Sequence, residues 1–160
     1  MILGIDPGLA NTGWAVVNDQ LRITNYELIA CGCLVTKSSQ NDTERLMYIY
    51  NELEKIIKKY KVEAVALETL FFAKNAKSAI KVSEAIGVIK LCGVRCGLPV
   101  FGYTPLQVKV ALVGYGRAEK EQVEIMIRNF LKLDGPVSPS HASDAVAVGL
   151  THLTTCRFEV

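Results

Sequence analysis

The chain has 160 residues, half of them hydrophobic, and a formal net charge of +2 at neutral pH. A domain of this length buries about two-thirds of the surface that its unfolded chain exposes, so we expect one domain over residues 1–155 and a short tail, 156–160. No apolar run approaches the roughly 20 residues of a membrane span, and the start lacks the pattern of a secretory signal. These features argue against a membrane or secreted protein and favour the cytoplasm.

The five cysteines do not have the spacing of a metal or redox motif. Cys31-x-Cys33 and Cys92-x-x-x-Cys96 lack the paired CxxC spacing of zinc and thioredoxin-like sites. We therefore expect reduced, mostly buried cysteines that pack as small hydrophobic side chains.

The modest net charge hides an uneven distribution. Residues 1–68 hold seven Lys or Arg against nine Asp or Glu, whereas residues 69–95 hold five against one and residues 96–160 hold six of each. The basic region contains Lys74, Lys77, Lys81, Lys90 and Arg95. It indicates either a nucleic-acid contact or an ordinary solvated helix face.

The first apolar run, Ile2 to Ile5, leads directly into Asp6, and Pro7-Gly8 ends the strand there. A second run, Trp14 to Val17, is close enough to pair with it as a hairpin. Asp6 is thus a carboxylate at the end of a buried strand. It is either a turn former or a metal ligand with partners elsewhere.

The next three elements bring a second carboxylate to a strand end. Residues 21–36 fit a third, antiparallel strand, and the 3–4 spacing of apolar residues from Leu46 to Tyr60 predicts an amphipathic helix capped near Asn41. The run Ala64 to Leu67 lacks alternation, as in a strand covered on both faces, and ends in Glu68. Because a helix intervenes, this strand is expected to be parallel to the first, which makes Asp6 and Glu68 neighbours.

The following helix, Ala76 to Cys96, has an apolar surface wider than one core face requires. Its second apolar side predicts a subunit interface, most economically in a two-fold homodimer. A short fifth strand (98–103), a helix opened by Pro105 and an amphipathic helix over 123–131 complete an α/β pattern before the last helix.

The last helix begins near Ser138-Pro139-Ser140 and places His141 and Asp144 on one face at i and i+3. The rest of this helix is apolar, so the pair lies either at the edge of the core or in a site. Alone, His141 and His152 are expected to be capping or surface residues.

Asp6, Glu68 and Asp144, with His141, form a set of ligands on elements that converge in an α/β fold. Hard oxygen ligands suit Mg²⁺ or Mn²⁺, and a pair of such ions supports phosphodiester hydrolysis without a covalent nucleophile. The sequence has no GxSxG, HExxH, GxxxxGK[ST] or GxGxxG motif, which removes the main support for serine hydrolases, zincins, P-loop and Rossmann proteins.

The chain resembles the RuvC-type Holliday-junction resolvases of the ribonuclease H-like superfamily. The resemblance spans most of the chain and rests on several separate motifs: Gly4-Ile5-Asp6-Pro7-Gly8 with Thr12-Gly13, Glu68 followed by Phe71 and Ala73-Lys74-Asn75, Leu98-Pro99-Val100, Gln107-Val108-Lys109, Val113-Gly114, Ala118-Glu119-Lys120 and Asp144-Ala145. It implies a ribonuclease H-like five-stranded mixed sheet flanked by helices.

The resemblance also implies roles for individual residues. The catalytic and metal-binding quartet falls on Asp6, Glu68, His141 and Asp144, with up to two Mg²⁺ ions per subunit and Mn²⁺ as a substitute. A base-contacting aromatic falls on Phe71 and DNA-contacting lysines on Lys109 and Lys120, to which the basic region adds Lys74, Lys77 and Lys81. The implied partners are four-way junction DNA, a second copy of the chain and a branch-migration motor.

His141 departs from the family pattern, in which aspartate is common at this position. One alternative is therefore a junction-binding module that has lost cleavage. Another is an actin-like or sugar-kinase ATPase, whose first strand carries a similar Asp-x-Gly turn, although such folds need two lobes. Phe71 and Phe72 are equally compatible with the core when the resemblance is set aside.

Overall fold

The computed structural model of the chain describes residues 1–19, 25–69 and 76–156. In chain order its elements are β1 (Ile2–Asp6), β2 (Asn11–Asp19), β3 (Tyr26–Val35), α1 (Asp42–Tyr60), β4 (Ala64–Glu68), α2 (Ala76–Arg95), β5 (Val100–Tyr103), α3 (Pro105–Val113), α4 (Lys120–Leu131) and α5 (Ser140–Thr155). No helix within these residues is long and apolar enough to cross a membrane.

The five strands form one mixed sheet in the order β3-β2-β1-β4-β5. β1 and β2 pair antiparallel, as do β2 and β3, whereas β4 is parallel to both β1 and β5. The hairpin, the antiparallel third strand and the parallel fourth strand predicted from the sequence are all confirmed. Observed boundaries differ by a few residues: β2 begins at Asn11 and β5 at Val100.

Helices cover both faces of the sheet. One apolar cluster joins the sheet to α3, α4 and α5, and the other joins it to α1 and α2. β4 contributes Ala64 and Ala66 to the first cluster and Val65 and Leu67 to the second, which explains why its sequence shows no alternation. α1 begins with a capping box in which Asn41 and Glu44 bond each other's backbone N–H groups.

Two expectations about single residues are wrong. The cysteines form no disulfide bonds, but only Cys92 is fully buried; Cys31 and Cys33 on the edge strand β3 and Cys96 are partly buried, and Cys156 is exposed. His152 is not at the surface, since its side chain is buried on α5, with Nδ1 2.7 Å from the Tyr103 hydroxyl oxygen.

α5 lies unusually close to the first two strands because glycines face it. A Cβ atom at Gly4 would collide with the carbonyl oxygen of Ala145 and with the backbone of Gly149, and one at Gly13 would collide with the carbonyl of His141. Backbone atoms cannot move aside as a flexible side chain can. These glycines therefore set the distance between α5 and the sheet.

We predict that Gly4→Ala lowers the free energy of unfolding by about 3 kcal/mol or more, because the added methyl group must push α5 away from β1. Gly135→Ala is the control, since a Cβ there meets no atom within 4 Å. Denaturant unfolding of both variants measures the difference. Equal stability of the two would contradict the close packing of α5.

Candidate active site

Asp6 and Glu68 end two neighbouring parallel strands. Ile5 of β1 pairs with Leu67 of β4, so the next residue of each strand reaches the same edge of the sheet. This edge is the carboxyl end of the parallel pair, where ligands of α/β proteins usually bind. The predicted proximity of the two carboxylates follows from this register.

The first turns of α5 add His141 and Asp144 to this edge. Nδ1 of His141 lies 2.7 Å from Oδ2 of Asp6, and one potential ligand atom from each of Asp6, His141 and Asp144 lies within 4.8 Å of the others. The Asp6 side chain is mostly buried, whereas those of His141 and Asp144 are partly exposed. The site is thus open to solvent on one side.

The electrostatics show that negative charge is crowded here. The pKa of Glu68 is raised to about 7, mainly by burial and in addition by the nearby Asp6 and Asp144 carboxylates. The pKa of Asp6 is also raised, mainly by burial, although its hydrogen bond with His141 acts in the opposite direction. Carboxylates held this close favour either a bound proton or a nearby cation.

Lys120 supplies one such cation. Its Nζ atom donates a hydrogen bond to Oδ2 of Asp144 over 2.9 Å, and this bond is the main cause of the raised pKa of Lys120. Lys109 lines a cavity of about 270 Å³ together with Lys120, Glu68 and Asp144. The two lysines implied by the resemblance therefore lie beside the carboxylates.

The donor set fits a hard divalent cation. Asp6, His141 and Asp144 converge within 4.8 Å, while Glu68 lies at the same edge of the sheet but outside this cluster. Oxygen-rich sets of this kind suit Mg²⁺ and Mn²⁺ better than softer metals. The raised pKa values of Asp6 and Glu68 show that the folded chain alone does not fully compensate their charge. A divalent cation bound among them would do so.

The structure describes only some of the other residues predicted to contact DNA. Phe71 and Lys74 lie outside the described residues, and Lys77 is the second residue of α2, with its side chain outside the description. Lys81 lies on the same helix, and its Nζ atom is 3.1 Å from Oδ2 of Asp42. It also lines a groove that reaches Asp6 and His141.

Arg45 was missed in the sequence. It lines the same groove as Lys81, although only 9% of its surface is exposed. It lies on the buried face of α1, one turn before Ile49 and two turns before Leu53. An arginine at a core position of an amphipathic helix is the signal that could have identified it, because buried charged groups need specific partners.

Comparison with known proteins gives the family. The family model for crossover junction endodeoxyribonuclease RuvC matches residues 2–152. The crossover junction endodeoxyribonuclease RuvC of Natranaerobius thermophilus is 44% identical over 157 residues, which cover 98% of this chain and 96% of that protein. The chain belongs to the RuvC family. A Roseiflexus RuvC is 45% identical over 150 residues, covering 94% of this chain and 88% of the relative.

Solved structures of RuvC proteins have the same fold. Thermus thermophilus RuvC in complex with a Holliday junction substrate superposes with a TM-score of 0.94 at 35% identity, over 99% of this chain and 95% of that one. The fowlpox virus resolvase shares the fold, with a TM-score of 0.62 at 17% identity, over 96% of this chain and 98% of the viral one. The predicted ribonuclease H-like architecture is confirmed.

The raised pKa of Glu68, caused mainly by its burial, makes the stability of the metal-free protein depend on pH. Because the pKa of Glu68 is raised from 4.5 to about 7, its protonated form favours folding below its ordinary pKa, and this advantage is lost as pH rises through about 7. In EDTA, Glu68→Gln should raise the free energy of unfolding by about 2 kcal/mol near pH ~8 and by little near pH ~4.

The control for this prediction is Glu121→Gln, which removes the same charge from the exposed first turn of α4. Chemical denaturation across the pH range measures both variants. A pH-independent effect of Glu68→Gln would contradict the burial of Glu68 beside other carboxylates.

Proposed function

We propose that this chain is a structure-selective endodeoxyribonuclease that resolves four-way DNA junctions by paired, metal-dependent phosphodiester hydrolysis in recombination and repair. The observation that carries the proposal is that possible ligand atoms of Asp6, His141 and Asp144 lie within 4.8 Å of one another in a chain of the RuvC family. Glu68, the last residue of β4, lies at the same edge of the sheet. The complex of a 35% identical RuvC with a Holliday junction substrate supports the choice of substrate.

Asp6, Glu68, His141 and Asp144 are the residues that would hold the cofactor, which we propose to be Mg²⁺, with up to two ions per subunit and Mn²⁺ as a substitute. When bound, such ions activate water and stabilise the leaving oxygen in phosphodiester hydrolysis. The chain's own groups orient this site: His141 holds the Asp6 carboxylate through Nδ1, and Lys120 holds that of Asp144 through Nζ.

The DNA contacts follow from the position of the cations. Lys109 and Lys120 lie beside Glu68 and Asp144, where they can bind phosphates close to the reacting one. Such contacts supply affinity and position without reading sequence. We assign base stacking to Phe71 and further phosphate contacts to Lys74, Lys77 and Lys81, on the sequence argument given above.

A homodimer would supply the two equivalent sites that paired cleavage needs. Ile80, Leu91 and Val94 share one face of α2 and are 60%, 55% and 66% exposed, and the surface of Gly87 between them is open. An exposed apolar stripe of this kind is typical of an interface. The branch-migration motor implied by the resemblance completes the proposed partners.

The first test of this function is cleavage of a synthetic four-way junction in Mg²⁺ or Mn²⁺. Asp6→Asn, Glu68→Gln and Asp144→Asn should each reduce the cleavage rate on the order of 100-fold or more. Junction binding should change little, because these variants remove no cation that contacts phosphate. Glu121→Gln should cut normally. Full activity of Glu68→Gln would contradict the site assignment.

His141 should affect the choice of metal, because a nitrogen donor favours Mn²⁺ over Mg²⁺ relative to a carboxylate. We expect His141→Asp to retain cleavage with a shift toward Mg²⁺ and His141→Ala to be severely impaired. Titration of the cleavage rate with each metal separates the variants. Wild-type rates for His141→Ala with both metals would leave a carboxylate triad as the site.

The α2 stripe predicts the assembly state. Leu91→Asp should raise the dimer dissociation constant by about 10-fold or more, because it places a charge in an apolar contact, while leaving the monomer folded since Leu91 is 55% exposed there. Ile125→Asp, on an exposed position of α4, is the matched control. Sedimentation equilibrium measures both. A monomeric wild-type chain at micromolar concentration would contradict the proposal.

A further inference from the structure

A groove of about 430 Å³ lies beside the catalytic carboxylates. Asp6 and His141 line it together with Arg45 and Lys81. The cavity that contains Lys109 and Lys120 is lined instead by Glu68 and Asp144. Two separate pairs of cations therefore adjoin different members of one acidic cluster.

Arg45 is held in place by bonds that lead back to the active-site loop. Its Nε–H donates to the hydroxyl oxygen of Thr36 over 2.8 Å, and the Thr36 hydroxyl donates to the carbonyl oxygen of Leu9 over 2.6 Å. Leu9 belongs to the loop that follows Asp6. The guanidinium is thus fixed relative to the catalytic carboxylate, which lowers the entropy cost of binding a ligand.

Asp42 links the two cations of the groove. Its Oδ1 atom accepts a bond from a terminal nitrogen of Arg45 over 3.2 Å, and its Oδ2 atom lies 3.1 Å from Nζ of Lys81. The hydrogen bond with Lys81 is the main cause of the lowered pKa of Asp42. Two cations share one carboxylate here, so the cluster keeps a surplus of one positive charge beside an acidic site.

We propose that Arg45 and Lys81 form a binding site for a second phosphate of the DNA strand being cut, one that neighbours the reacting phosphate. The inference rests on the proposed function. Arg45 is the fixed part of the site, whereas Lys81, which is half-exposed, exchanges Asp42 for the phosphate. Asp42 holds both cations at the groove when no DNA is bound, and its charge opposes phosphate binding.

This role of Asp42 gives a test that distinguishes a phosphate site from an ion-pair network that only stabilises the fold. Junction binding is measured without cleavage, in EDTA, over a series of salt concentrations. Lys81→Gln should weaken binding and reduce the slope of log K against log salt by about 0.7–0.9, the effect of one lost phosphate contact. Asp42→Asn should tighten binding several-fold, since it removes the carboxylate that competes with the phosphate for Lys81.

Lys58→Gln is the matched control, because Lys58 also pairs with a carboxylate, Glu54 at 2.9 Å, but does not line the groove. It should leave the salt slope unchanged. If Asp42→Asn weakens binding, or if Lys81→Gln behaves like Lys58→Gln, the phosphate site is overturned.

Single methylphosphonates near the cut site locate the contact. On a junction neutralised at the contacted phosphate, Lys81→Gln should lose no further affinity; on junctions neutralised elsewhere it should lose as much as on the unmodified one. Arg45→Lys, which keeps the charge but not the planar fork, should show the same positional dependence in weaker form. Uniform losses at every position would overturn the site.

The same experiments separate the two proposals. If the wild-type chain binds and cuts junctions but Lys81→Gln binds them like Lys58→Gln, only the proposed phosphate site is overturned. A wild-type chain that neither binds nor cuts a junction in Mg²⁺ or Mn²⁺ overturns the proposed function and this site with it.

Discussion

The close contact between α5 and the first two strands is the constraint on which the site depends. α5 carries both His141 and Asp144, and its backbone rests against glycines where any side chain would collide. A shift of this helix would move two of the four site residues together. The packing that stabilises the fold therefore also sets the distances between these side chains, so that the site is built on rigid elements instead of on loops.

This placement has an electrostatic cost. Asp6 and Glu68 end adjacent parallel strands, where burial raises the pKa of both, and Asp144 on α5 raises both pKa values further. Lys120 offsets part of that cost by pairing with Asp144, yet the same pairing uses an oxygen that a metal ion would need. A site whose charges are incompletely balanced in the metal-free chain is poised to gain free energy when a divalent cation binds.

Most of the fold and the centre of the site could be predicted from the sequence, for identifiable reasons. A helix between two apolar runs requires a crossover, which makes β1 and β4 parallel and brings Asp6 and Glu68 to one edge. Helical spacing alone puts His141 and Asp144 on one face. Both rules can be applied without knowledge of the side-chain contacts in the folded protein. The resemblance of the motifs then indicated the chemistry of the site.

What the sequence did not reveal depends on side-chain contacts between different elements of the fold. Arg45 is positioned by Thr36 and Leu9, and Lys81 meets its counter-charge in Asp42, on another helix. Charge density alone placed Lys81 in a basic region and could not show its pairing with Asp42. Net charge is a poor guide for the same reason: a total of +2 conceals an acidic centre adjoined by two pairs of cations. That arrangement places cations that can attract a phosphate backbone beside carboxylates that could hold a metal ion.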